Sequence, residues 1–146
     1  MNKILSLIII FFLSLSCSKK RAENEHTEIE NYVKENNLSG QFTDSGLWFS
    51  LDVLGTGAQP SKLSTVTVKY KGYLLNQSIF DQSDDLGVTF SLSNVILGWQ
   101  EGIPKYKVGG KGKLIIPSTL GYGNKKVGTI PKNSVLIFDI ELLDVL

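Results

Sequence analysis

The sequence predicts an α+β fold: an antiparallel β-sheet of about five strands wrapped around one short α-helix. Three observations predict it. From about Asp44 onward, apolar β-formers alternate with polar residues at a period of two, with glycine, proline and asparagine between the runs. Within that region only the stretch around Val95 to Trp99 shifts to helical spacing. The last run, SVLIFDIELLDVL, sets Leu136, Phe138, Ile140 and Leu142 on an apolar side and Val135, Ile137, Asp139 and Glu141 on a mixed one, as in a sheet packed on a helix. A chain of 146 residues, 42% of them hydrophobic, holds one domain with a sizeable core and some length for appendages. A net charge of +1 argues against a dedicated nucleic-acid binder. One cysteine forms no intrachain disulfide, and one histidine without a Cys/His cluster implies neither a metal nor a cofactor.

The first residues, MNKILSLIIIFFLSLSC, have the layout of an export signal. Lys3 gives a short positive start, and the apolar run from Ile4 to Leu13 is too short for a ~30 Å hydrocarbon core. We expect a signal peptide over 1–16, with Cys17 as the acylated residue of a lipoprotein. The stretch resembles a bacterial lipobox, with Ser14 where a large aliphatic is usual and Leu15 one place later. Two or three acyl chains, palmitate among them, would hold the protein on a membrane outside the cytoplasm, because each buried methylene adds ~0.8 kcal/mol. Ser18 after the cysteine favours the outer membrane.

Residues 17–43 read as a polar tether. Ile29, Tyr32, Val33 and Leu38 form one thin apolar stripe, so a short helix that is marginal alone is expected there. His26 reads as a surface residue. The domain itself is expected over 44–146. Leu47, Phe49, Leu51 and Val53 alternate in a first strand, with Trp48 on its other side. Val66, Val68 and Tyr70 alternate in a second, continued by Gly72 to Leu74. Ile79 to Asp81 begin a third, after the Asn76-Gln77 turn. Val88, Phe90 and Leu92 then alternate up to Ser93 and Asn94, residues able to cap a helix. Val95 and Trp99, at i and i+4, would share one face of that helix. Pro104 ends it. Lys111 to Ile116 form a further strand, in which Lys111 and Lys113 read as a solvated edge. A glycine-rich loop with Tyr122 inside GYG leads to the last strand.

The motifs VKYKGYL, IFD, VILGWQEGI, VGGKGKLIIPSTLGYG and VLIFDIELLDV occur in this order between Val68 and Val145. Together they resemble the FK506-binding family of peptidyl-prolyl cis-trans isomerases, over about Asp44 to Leu146, and with the lipobox-like start its bacterial exported lipoprotein branch. The resemblance implies a curved antiparallel sheet around the short helix. It implies a prolyl pocket made of Tyr70, Phe80, Asp81, Val95, Ile96, Trp99, Tyr122 and Phe138, with Val88 and Ile130 as further candidates. It implies proline-containing polypeptides as substrates, FK506-like macrolides as ligands, and a monomer. Three features depart from the pattern. The loop after Asp81 is about two residues short and, reading QSDDLG, lacks the arginine that many members carry there. Val88 stands where some members have a larger aromatic. The loop from Tyr122 to Pro131 is slightly short. These departures bear on rate and on macrolide affinity, and they leave a second reading open: a proline-binding chaperone or assembly module with little turnover. Prolyl isomerisation makes and breaks no bond, so it needs neither nucleophile nor metal, and the sequence offers no Cys/His or Ser/His pair.

Overall fold

The structure, a computed structural model, describes residues 3–146, with side chains from Cys17 onward. The side chains of the expected signal segment, 1–16, thus lie outside the described residues. The elements in order are α1 (Lys3–Glu35), β1 (Gln41–Phe42), β2 (Trp48–Phe49), β3 (Thr65–Leu74), β4 (Ile79–Gln82), β5 (Val88–Ser91), α2 (Leu97–Gly102), β6 (Lys111–Ile116) and β7 (Leu136–Val145). Among the described residues no helix is long and apolar enough to cross a membrane.

The strands form one sheet in the order β1-β2-β6-β7-β3-β4, and β5 joins the half of β3 that β4 leaves free. Every pairing is antiparallel. There are seven strands rather than about five. The first expected strand, Leu47 to Val53, is cut down to Trp48–Phe49, and β1 is an additional strand that precedes it. Gln41–Phe42 pairs with Trp48–Phe49, and beyond Phe49 the backbone line to β6 continues through Ser50 N–H to Lys113 O and an isolated bridge in which Val53 and Lys111 exchange two bonds. Leu51 and Val53 are exposed there. Because β1 belongs to the sheet, the sheet begins before the expected boundary at residue 44.

Period-two patterning gives the sheet two apolar faces. On the concave face Val66 and Val68 of β3, Leu114 and Ile116 of β6, and Leu136, Phe138, Ile140 and Leu142 of β7 pack under α2 with Trp99 and Ile103. The helix sits close because of two glycines on its inner side. A Cβ on Gly98 would lie 2.5 Å from Ile116 Cγ2, and one on Gly102 would lie 2.6 Å from Leu114 Cδ1.

The outer face carries Trp48, Tyr73, Ile115 and Ile137, and α1 covers it with Ile29 and Tyr32. Ile29 is fully buried. The expected tether with a short helix is therefore a docked, continuous helix, and Trp48 is its contact. Lys113 is not a solvated edge either. Its strand is internal, and its ammonium binds Asp139 and the Tyr73 hydroxyl.

Candidate active site

The chain enters the site through β5 and a 3-10 turn at Leu92–Asn94. Ser93 Oγ meets Ser91 Oγ at 2.7 Å instead of capping α2. Val95 is extended (φ −108°, ψ 175°), so it does not share a helical face with Trp99. The N-cap is Ile96, with no side-chain cap. Its carbonyl accepts from Trp99 N–H at 3.0 Å and Gln100 N–H at 3.2 Å, while its own N–H makes no hydrogen bond among the described residues. A helix start leaves such donors unpaired. Ile96, which carries this open donor, lines a cavity together with Val95.

That cavity, about 360 Å³, lies between the concave face and α2. Trp99 is its floor and is 5% exposed. Around the indole three rings close in: Tyr70 at 5.0 Å and Phe138 at 5.1 Å, both edge-on, and Phe90 at 5.2 Å. Edge-to-face contacts at this range are favourable aromatic geometry. The indole Nε1–H is buried without a partner among the described residues.

The polar part of the wall comes from β3, β4 and the GYG loop. The pairing of β3 with β4 slips between Gly72 and Tyr73: Gly72 faces Asp81, while Tyr73 faces Ile79. Phe80 is thus the extra residue of a bulge, which re-aims neighbouring side chains. In consequence Phe80 stacks edge-on against Phe138 at 5.5 Å, while adjacent Asp81 lines the cavity. The Tyr70 hydroxyl donates to Asp81 Oδ2 at 2.7 Å. Burial, and then the bond to Asp81, push the Tyr70 hydroxyl well above its usual range. Burial raises Tyr122 as well, followed by the nearby Asp81 charge. Both phenols therefore stay protonated donors at neutral pH. Tyr122 lines the cavity, is 37% exposed, and its hydroxyl has no hydrogen bond among the described residues.

Of the expected pocket residues, Tyr70, Asp81, Val88, Val95, Ile96, Trp99, Tyr122 and Phe138 line this one cavity. Phe80 and Ile130 do not. Phe80 backs Phe138, and Ile130 is buried in the core, where it anchors the loop after Tyr122. Phe90 and Asn94 line the cavity and were not expected. Phe90 had a signal, since it alternates with Val88; Asn94 read only as a cap. A larger cleft of about 590 Å³ opens beside Lys69, Lys71, Lys111 and Glu141. Among its charges Lys111 pairs with Glu141 at 2.9 Å and Lys69 with Asp85 at 2.5 Å, and Tyr70 is the one aromatic ring among the described residues that line it.

A family model for FKBP-type peptidyl-prolyl cis-trans isomerase matches residues 57–143. The chain belongs to this family. The FkpA isomerase of Buchnera aphidicola subsp. Schizaphis graminum is 46% identical over 134 residues, covering 81% of this chain and 53% of that one. Escherichia coli FkpA is 44% identical over 118 residues, covering 80% and 43%. This FKBP-type chain spans about half the length of such relatives. Among solved structures, the crystal structure of FkpA from Escherichia coli superposes with a TM-score of 0.75 at 36% identity, over 99% of this chain and 72% of that one. A peptidyl-prolyl isomerase from Pseudomonas syringae pv. tomato gives 0.76 at 30% identity, over 88% and 95%. The curved sheet around one short helix is thus the FKBP fold, with α1 added on its outer face.

Proposed function

We propose that this chain accelerates cis-trans rotation of X-Pro bonds in exported polypeptides, with the ring of the proline seated on Trp99. The observation that carries the reading is the aromatic cavity itself, floored by one indole and rimmed by two open donors, the Ile96 N–H and the Tyr122 hydroxyl. Resonance holds the peptide C–N bond behind a barrier of ~18–20 kcal/mol. A twisted amide has lost that resonance and part of its carbonyl polarisation. Rings that exclude water favour the less polarised geometry, and a donor at the rim fixes a neighbouring substrate carbonyl so that one side of the bond turns against the other. An acceleration of ~10⁴ needs only about 5.5 kcal/mol of such differential binding. The paired Tyr70 and Asp81 keep a polar edge beside the apolar floor without placing a bare carboxylate against the ring. FK506-like macrolides would occupy the same cavity.

The full chain, added to a protein whose refolding waits on a proline bond, should shorten the slow phase in proportion to its concentration. Refolding left unchanged by folded, pure protein would overturn the reading. One observation favours a slower, binding-dominated variant: among the described residues Asp81 has Tyr70 as its hydrogen-bond partner and no arginine beside it. That variant would capture proline segments while leaving the slow phase nearly intact.

We further propose a lipid-anchored monomer in the cell envelope, on the outer membrane. The support is the apolar, lipobox-like start and an exposed Cys17, the only cysteine of the chain. Mass spectrometry of membrane fractions should find acyl mass on the Cys17 peptide, and Cys17→Ser should release the protein. Sedimentation of the detergent-solubilised chain should give one copy per particle. An unmodified cysteine, or a dimer, would refute these points.

A further inference from the structure

Glu25 is a buried acid that the pocket does not use. It lies on α1, 4% exposed, and both its oxygens are spent on one residue of a distant loop. Oε2 accepts from Ser118 N–H at 2.8 Å and Oε1 accepts from Ser118 Oγ at 2.6 Å. A carboxylate withdrawn from water this far costs stability unless its oxygens are fully bonded, so the geometry of the pair is tightly set.

What Ser118 does with its remaining polar group gives the contact its meaning. The Ser118 carbonyl accepts from Gly121 N–H at 3.0 Å and from Gly123 N–H at 2.9 Å. These are the two residues flanking Tyr122. A second strut reaches the same place. Arg21 Nη1 donates to Asn133 Oδ1 at 2.8 Å, and Asn133 N–H donates to Gly123 O at 2.8 Å. Arg21 and Glu25 are one turn apart on α1, in line with buried Ile29, so one helical face carries both struts. The loop needs them. Gly121 and Gly123 give the backbone around Tyr122 wide freedom, Gly123 at φ +60° with nothing near its Cβ position.

We propose that Glu25 and Arg21 are positioning residues that hold the Tyr122 hydroxyl over the cavity, so that α1 is part of the catalytic apparatus and not only a cover for the sheet. The inference rests on the reading of Tyr122 as a donor to substrate. It makes helix α1 a route by which events at the outer face reach the pocket: displacing that face frees Ser118 and Asn133 together.

The test uses the full chain carrying Glu25→Ala, Glu25→Gln or Arg21→Ala, each alone and combined with Tyr122→Phe. The readouts are kcat/KM on an X-Pro peptide and amide hydrogen exchange at Gly121 and Gly123. Glu25→Ala should lower kcat/KM about fivefold, the worth of roughly one hydrogen bond. Glu25→Gln should restore most of it, since its amide oxygen accepts from Ser118 N–H and its NH₂ donates to Ser118 Oγ. In the Tyr122→Phe background Glu25→Ala should have no further effect, whereas a merely structural loss would be as large as before. The two glycine amides should exchange faster in Glu25→Ala and Arg21→Ala. Wild-type kcat/KM in Glu25→Ala, an equal loss in both backgrounds, or no rescue by glutamine would overturn the proposal. Should Glu25→Ala fail to fold, Arg21→Ala decides, with unchanged rate and unchanged glycine exchange as the refuting pair. An inactive wild type would sink the isomerase reading alone, and glycine exchange would then decide this one.

Discussion

Two aromatic rings share the space in front of Gly72. A Cβ there would lie 2.6 Å from Phe80 Cε2 and 2.8 Å from Phe138 Cε1, so only glycine lets both rings reach the sheet. Gly72→Ala should push Phe138 toward Trp99, since those rings already stand 5.1 Å apart, edge-on. We expect KM for a prolyl peptide to rise about tenfold, with a cost of ~1–3 kcal/mol from overpacking. Steady-state kinetics and urea denaturation check this together; unchanged KM would mean that the rings yield elsewhere. The residues that touch the cavity were largely legible, because each sits in a motif of fixed spacing: Tyr70 in VKYKG, Asp81 in IFD, Trp99 in VILGW, Tyr122 in GYG. Phe80 and Ile130 were not separable from them. A bulge moves Phe80 behind Phe138, and which way a bulged side chain points is decided by pairing register, which the residues of one strand do not display.

At the level of elements, α1 is where sequence and structure part. Its own signal is thin, with Ile29, Tyr32 and Val33 in a polar stretch, and a short helix of that kind is marginal alone. The complementary signal lay in the strands. Trp48, Tyr73, Ile115 and Ile137 are apolar on the side away from α2, and a sheet with two apolar faces needs a second cover. Each of these residues reads as an isolated exception until the strand order puts them side by side, because β2, β6, β7 and β3 are neighbours in space and far apart in sequence. Ile29→Ala should therefore cost ~2–4 kcal/mol, as expected for a fully buried aliphatic. Equilibrium unfolding that matches wild type would restore the tether. The α2 boundary was blurred for a local reason: Val95 and Ile96 are extended residues that mimic helical spacing without joining the helix.

The whole molecule is three layers, α2, sheet and α1, with tyrosines buried at both interfaces. Burial pushes the hydroxyl of Tyr106 up, and does the same for Tyr70 and Tyr73, which are also held by Asp81 and Asp139. Their folded values lie above the unfolded one of about 10. The sign follows: this stability is complete below about pH 10 and is lost as pH rises toward the folded values, because the unfolded chain gives up those protons first. The melting temperature should hold steady from pH 7 to about 9.5 and fall beyond it, with a shallower fall in Tyr106→Phe. A decline already present at pH 8, or the same slope in that variant, would contradict the layering drawn here. The two-faced sheet lets one chain hold a cavity on its concave side and pack α1 on the other.

The central claim is that an aromatic cavity floored by Trp99 turns proline's amide without covalent chemistry. Exchange NMR on a short X-Pro peptide measures this directly, with the full chain and its Trp99→Ala variant at equal concentration. Wild type should raise the cis-trans exchange rate saturably, and the variant, still folded by its amide spectrum, should lose about two orders of magnitude. Equal exchange rates with the two proteins would contradict the claim.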